Sequence, residues 1–452
     1  MKRNSIIRLG LLLLAGMIVL PSCSTKRQER QYHAADTFTA YVATDIHYFA
    51  PELMDDGPAF RKYVDTGDSK QLELMDDIMQ AFIRDISLNK PELLIVSGDV
   101  SNNGERKSHE QLASMFQQME ELGTQVYVIP GNHDILNPWS SQFKGDKQVK
   151  ADYVTPEQFS EIYKAFGYDE AVSRDSKTLS YMAAPAPHVR LLMLDTCLYR
   201  SNERLRKPEL TGIIPSSTQR WIREVVKEAR KEGADVLPVM HHNLLSHNDL
   251  SGKEYQIINH QEIVSLFQEL NLPLVLSGHV HLQHISATDE AVAEESSSSS
   301  TIYDVATSAL SVYPHQYGFL RHDAKERSWK YFTVPVEVEK WAKHTGVEDN
   351  RLLSFNPYAK QYFEDFTRRM VREELLLEHY SHDEIESMSE FMVQINNDYF
   401  AGKPIANREQ LLLSDAYELW TKAKPSYLKG YVVSMLQPYK HAHNEFMMKI
   451  EK

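Results

Sequence analysis

Val128-Ile129-Pro130-Gly131-Asn132-His133-Asp134 closes an apolar run on a group of ligand-type side chains. The run from Val126 to Ile129 reads as a buried strand. It breaks at Pro130-Gly131 and at once presents an amide, an imidazole and a carboxylate. Gly131 permits a sharp turn and a close approach to a ligand. Asn132 can offer a side-chain carbonyl oxygen to a metal ion. His133 is the side chain suited to carry charge or a proton near neutral pH, and Asp134 could fix its tautomer and orientation. Taken alone, the segment reads equally well as a site or as a polar turn after a strand.

Four other strand ends share this pattern. Thr39 to Thr44 runs into Asp45-Ile46-His47, and Leu93 to Val96 runs through Ser97 into Gly98-Asp99. Val236 to Met240 runs into His241-His242-Asn243, and Leu274 to Leu276 runs through Ser277 into Gly278-His279-Val280-His281. His241-His242 reads as one ligand with one supporting group. A solvated loop explains any one of these places but not all of them together. Asp45, His47, Asp99, Asn132, His241, His279 and His281 make seven ligand-type residues. That is too many for one tetrahedral zinc and suits two metals sharing a carboxylate.

The intervening segments are helical. Met75, Ile78, Met79, Phe82, Ile83 and Ile86 recur at helical spacing, as do Leu112, Met115, Phe116 and Met119 within 107–122. Residues 216–232 and 260–270 read as further helices. Strands alternating with helices predict an α/β sandwich with its site at the carboxyl ends of the strands. After His281, strands are expected at 283–288, 301–306, 317–323 and 329–334, with a low-complexity tip at Glu294-Glu295 and Ser296 to Ser300. Tyr313 and His315 read first as structural loop residues and second as substrate contacts. Beyond Val338 the strands give way to helices. Asn356-Pro357 marks a helix start, Ser381-His382-Asp383-Glu384 is a capping box, and 407–423 and 426–447 complete a helical bundle. His441 and His443 would lie on its last helix, where residues i and i+2 do not share a face. They are therefore read as solvated.

The 452-residue chain carries 49 basic and 63 acidic residues, a net charge of −14. That argues against a nucleic-acid polymer as partner, since phosphate binding needs a basic surface. At the amino end Lys2, Arg3 and Arg8 precede the apolar stretch Leu9 to Leu20, which is short for a membrane span. Leu20-Pro21-Ser22-Cys23 resembles a bacterial lipobox. Residues 1–22 are thus expected to be a lipoprotein signal peptide, Cys23 a lipidated anchor and 23–36 a tether, placing the protein outside the cytoplasm on a membrane. Cys197 is then the other cysteine, read as a buried small hydrophobe.

The order Asp-x-His, Gly-Asp, Gly-Asn-His-Asp, His, Gly-His-x-His over roughly residues 40–335 resembles the calcineurin-like metallophosphoesterases. Ala43-Thr44-Asp45-Ile46-His47-Tyr48, Ser97-Gly98-Asp99, Asn102-Asn103-Gly104-Glu105 and His241-His242-Asn243-Leu244 look most like bacterial lipoproteins of the cyclic-nucleotide-phosphodiesterase-like type. The resemblance implies a four-layer α/β/β/α sandwich over 37–337 and an all-α helical bundle over 338–452. It implies one ion on Asp45, His47, Asp99 and His281, and another on Asp99, Asn132, His241 and His279. The ions would be divalent or trivalent Mn, Fe or Zn, holding a bridging hydroxide that attacks the phosphorus in line. His133 would serve the leaving oxygen and Asp134 would orient it. The expected substrate is a small phosphoester, with a phosphodiester preferred and cyclic nucleotides one candidate. The alternatives are a phosphomonoesterase or nucleotidase of the cell envelope, or a helical binding module carried on a metal-binding anchor domain.

Overall fold

The computed structural model describes residues 37–247, 255–288, 301–376, 378–437 and 442–450. The signal, Cys23, the tether, the 294–300 tip and His441 lie outside these residues. Two sheets form the centre. The first has six strands in the order Glu445–Lys449, Ser328–Pro335, Gln316–Asp323, Thr37–Ala43, Leu93–Val96, Gln125–Val128. Its last three strands are parallel and the others antiparallel. The second has seven strands, running from His284–Ala287 through Tyr303–Ala306, Leu274–Ser277, Asp235–Met240, Val189–Leu194 and Tyr181–Ala186 to Ser173–Arg174.

Side-chain alternation shows how the sheets stack. In the second sheet Leu191, Met193, Leu237, Val239, Leu274 and Leu276 belong to the core cluster shared with Val42, Leu94 and Val126 of the first. Their neighbours Leu192, Leu194, Val236, Met240 and Val275 point the other way, into a second cluster with Ile222, Val226, Ile263 and Phe267. Those four lie on helices Ser216–Lys231 and His260–Glu269. Strands buried on both faces are near-continuous apolar runs, and these are. Tyr181 ties the layers together, its hydroxyl donating to the Val128 carbonyl at 3.0 Å. Helices Met75–Asn89 and Arg106–Glu121 bury Met75, Ile78, Met79, Phe82 and Ile86, and Leu112, Met115, Phe116 and Met119, against the first sheet. The expected four-layer sandwich is thus observed.

The helical region follows as expected in kind, with two differences. Residues 407–423 form two helices, Arg408–Leu412 and Asp415–Lys422, because the Ser414 hydroxyl accepts from the Tyr417 amide at 3.2 Å and starts a new helix. The last expected helix, 426–447, stops at Met435. Residues Glu445–Lys449 instead form an edge strand beside Ser328–Pro335, with the Phe446 ring 4.7 Å from Tyr303. A ready sheet edge and an aromatic contact override local helix preference there. His443 is accordingly not on a helix: its ring stacks on His284 at 3.8 Å. No helix among the described residues is long and apolar enough to cross a membrane.

The capping box is present: Ser381 accepts from the Glu384 amide at 3.3 Å, and Glu384 accepts from the Ser381 amide at 2.8 Å. Ser381→Ala should lower stability by about 1 kcal/mol in urea unfolding. Wild-type stability of that variant would show the cap to be idle.

Candidate metal centre

Three of the parallel strands hand their ligands to tight turns. Asp45 and His47 follow Thr37–Ala43 with φ of 48° and 45°, and Asp99 follows Leu93–Val96 with φ of 48°. His279 and His281 follow Leu274–Ser277 with φ of 70° and 61°. These left-handed turns are fixed by backbone bonds between the loops: the Asp45 amide donates to Gly98 at 3.0 Å, and the His47 amide to Asp99 at 2.9 Å. The loops approach so closely that glycine is needed at two places. A Cβ on Gly131 would collide with the Asp99 amide and carboxylate, and one on Gly278 with Thr44.

Two ligand groups result. In one, His47 Nε2 lies 3.1 Å from His281 Nε2, and Asp45 Oδ1 lies 3.3 Å from His281 Nε2. In the other, His241 Nε2 lies 3.0 Å from Asn132 Oδ1, and Asp99, His241 and His279 bring ligand atoms within 4.8 Å of one another. Asp99 Oδ2 stands between the groups, 3.7 Å from His47 Nε2 and 3.4 Å from His241 Nε2. All seven residues expected to hold metal are therefore gathered in one place.

The donor atoms fit cations. Asp45 Oδ1 and His279 Nε2 are buried without a hydrogen-bond partner, which is costly unless something else satisfies them. The His241 Nδ1–H donates to the Ser97 carbonyl at 2.9 Å, leaving Nε2 as the ligand atom. Burial, together with repulsion from His241, pushes His279 down to about 3, so its imidazole is neutral and free to ligate. Burial also opposes charge on Asp99, but the His241 and His133 imidazoles outweigh it and hold the carboxyl well below its usual range. Burial lowers His241 too, yet Asp99 overcomes it and raises the ring to about 9. In the metal-free protein, a proton on His241 partly balances the charge that ions would neutralise.

The pair His241-His242 is resolved by the structure. His242 Nδ1 lies 2.7 Å from the Thr196 hydroxyl, and its ring packs against His279 at 4.7 Å. It supports His279 from behind and joins neither ligand group. Tyr313 stacks on Phe363, while His315 is buried, with Nδ1 bonded to the Leu310 carbonyl at 2.9 Å. Both are structural. Cys197 is half-buried and packs against the core, and burial raises its thiol well above the usual range.

Asp134 differs from expectation. Its carboxylate accepts from the amides of Val100, Ser101 and Gly131 at 3.2, 2.9 and 2.8 Å, and from the Ser101 hydroxyl at 2.8 Å. These bonds staple the Asp99 loop to the Asn132 loop. Adjacency in sequence suggested a contact with His133, but the turn directs Asp134 inward to unsatisfied amides. The His133 ring is held instead by Asn103, whose Oδ1 lies 2.9 Å from His133 Nδ1. Asn103 also donates to the Tyr63 hydroxyl at 3.0 Å, and Asn137 donates to Asn103 at 3.2 Å. An amide oxygen can only accept, so the hydrogen sits on Nδ1 of His133, leaving Nε2 for a substrate. Burial, with help from the Lys70 charge and against the pull of Asp99, lowers His133 to about 4. Lys70 was not singled out from the sequence. It is buried, its ammonium 2.9 Å from Asp68, and burial's penalty is outweighed by that carboxylate, so it stays charged.

A stacked pair of sheets with two groups of potential metal ligands at the strand ends defines an α/β sandwich built to hold metal ions. A family model described as calcineurin-like phosphoesterase matches residues 38–283, and the chain belongs to that family of metal-dependent phosphoesterases. A second model, described as the C-terminal domain of cyclic nucleotide phosphodiesterase, matches residues 337–441. Similar solved structures include a dimetal phosphatase from Danio rerio, 14% identical with a TM-score of 0.45, covering 66% of this chain and 99% of that one. A purple acid phosphatase from yellow lupin (Lupinus luteus) is 11% identical with a TM-score of 0.42, covering 67% of this chain and 52% of its own. No curated protein matches the chain.

Asp99→Ala should lose both ions, because its carboxylate faces both ligand groups, while Asp45→Ala should lose one. Elemental analysis of purified protein reads this directly. Full metal content in Asp99→Ala would remove its bridging role.

Proposed function

We propose that the protein is a dinuclear phosphodiesterase acting on small phosphodiesters, with cyclic nucleotides in its range. The observation that carries this reading is the position of Asp99 Oδ2 between the two ligand groups. The match of residues 337–441 to a cyclic nucleotide phosphodiesterase domain favours a diester over a monoester. Asp45, His47, Asp99 and His281 would hold one ion, and Asp99, Asn132, His241 and His279 the other. When bound, such a pair supplies Lewis acidity towards the phosphoryl oxygens and a water nucleophile at neutral pH.

The chain's own groups do the rest. The Ser97 carbonyl fixes the His241 tautomer, and the Asp134 carboxylate fixes the spacing of the Asp99 and Asn132 loops. His133 serves the leaving oxygen through Nε2. Because burial keeps the ring neutral, it acts as an acid only after taking up a proton there, while Asn103 retains the hydrogen on Nδ1. The protein is also proposed to work outside the cytoplasm, tethered through lipid on Cys23. Extracellular nucleotides, 2′,3′-cyclic nucleotides and envelope phosphoesters then become accessible substrates.

His133→Ala should retain its metals and lose rate by about 10²–10⁴-fold on diesters with alkoxide leaving groups. The loss should be smaller with nitrophenolate, which needs little protonation. Asn103→Ala should show the same leaving-group dependence with a smaller loss. Equal rates for both substrate types in both variants would end the His133 assignment. If the metal-loaded wild type cleaves aryl phosphomonoesters and no diester, the diesterase reading fails and the phosphomonoesterase reading replaces it.

Labelling with a fatty-acid analogue should mark wild-type protein and not Cys23→Ser. Equal labelling of the two would refute the lipid anchor.

A further inference from the structure

The loop that carries His279 and His281 belongs to two cores at once. On one side its backbone is pinned to the sandwich: the Gly278 amide donates to His241 at 3.0 Å, and the His279 amide donates to Asp45 Oδ2 at 2.9 Å. On the other side the intervening residues enter the helical region. Leu282 is buried in the cluster built by Val371, Leu375, Met388, Met392 and Ile395, and Val280 packs against that same cluster. Gln283 is fully buried. Its amide donates to the Phe400 carbonyl at 3.1 Å, its side-chain NH₂ donates to the His443 carbonyl at 2.9 Å, and its Oε1 accepts from Tyr331 at 2.9 Å.

The segment that brackets His281 from the far side is held in the same way. The Ala309 amide donates to the His281 carbonyl at 3.1 Å. Ala309 and Val312 pack on Phe363 of helix Phe355–Leu375. Ligands and anchors thus alternate along the chain, with His279 and His281 in the centre and Val280 and Leu282 in the helical core. Both histidines sit at positive φ, a conformation that persists only where the surroundings over-determine it.

We propose that the helical region is a clamp on this loop, with Leu282 and Gln283 as positioning residues for His279 and His281. Metal binding and docking of the helical region are then one coupled equilibrium: each ion selects the loop conformation that the clamp also selects, and the coupling is reciprocal. The proposal rests on His279 and His281 being ligands. It adds that their placement depends on residues 355–400, which touch no metal themselves.

The test uses the full chain and Mn²⁺. Affinity is measured by chelator competition, and amide hydrogen exchange is followed in helices Phe355–Leu375 and His382–Phe400. Leu282→Ala and Gln283→Ala should weaken Mn²⁺ binding by about 10–100-fold, the range seen for groups that orient metal ligands. Leu282→Met should restore most of it. In the wild type, Mn²⁺ should slow exchange in both helices; His281→Ala should reduce that effect, and the His279→Ala/His281→Ala double variant should abolish it. The clamp is overturned if folded Leu282→Ala and Gln283→Ala bind Mn²⁺ as tightly as wild type. It is also overturned if the helices of wild-type protein exchange identically with and without the ion, a result that needs no variant to fold. If His279→Ala and His281→Ala both bind Mn²⁺ normally, the ligand assignment falls and takes the clamp with it. Normal ligand behaviour with unaffected helices removes the clamp alone.

Discussion

Five of the seven proposed ligand residues, Asp45, His47, Asp99, His279 and His281, occupy left-handed backbone conformations. For residues with a side chain, each such turn costs about 1–2 kcal/mol. The cost follows from the geometry demanded. Parallel strands deliver their carboxyl ends side by side, but a continuing extended chain would carry the side chains past one another. At three strand ends an abrupt reversal turns aspartates and histidines towards one another, whereas His241 and Asn132 reach the same place without one. The reversals are supported by loop-to-loop backbone bonds and by the Asp134 carboxylate. They also depend on the strands behind them. Val42, Leu94, Ile95, Val126 and Leu276 are fully or almost fully buried, and fully burying such a side chain contributes roughly 1.5–3 kcal/mol. The rigid sandwich therefore offsets the strain stored at its rim.

That relation explains what could be read from the sequence. A short, largely apolar run followed within three residues by Asp, Asn or His is a local pattern, and it marked all five strand ends. Periodicity similarly marked Met75–Asn89 and Arg106–Glu121, whose buried faces decide their structure. Asn103 and Lys70 were not assigned roles because nothing local distinguishes them. Asn103 lies in a quoted motif, yet its contact with His133 spans 30 positions. Lys70 follows an Asp- and Gly-rich loop, and its importance comes only from burial beside the centre. Asp134 was misassigned for the opposite reason: chain adjacency to His133 suggested a contact that the turn forbids. The strand Glu445–Lys449 was missed because five residues carry too little pattern, and a sheet edge 110 or more residues away decided their conformation.

Charge explains how an acidic protein, with a net charge of −14, can receive an anion. At physiological salt the screening length is about 8 Å, so distant surface carboxylates contribute little at the site. What matters is the local sum. The proposed ligand set contains only two carboxylates, Asp45 and Asp99; its other members are an amide and four imidazoles, which bring no charge of their own when they ligate a metal, and burial already keeps His279 neutral. Two divalent ions on that set leave the centre net positive, and bound ions dominate the local field. Lys70 adds no net charge because Asp68 pairs with it, but its ammonium is held beside the centre in a buried position. The choice of imidazole over carboxylate at four of the seven positions is thus what lets the centre attract a phosphoester. Further aspartates there would bind the ions more tightly and cancel the field that draws the substrate in.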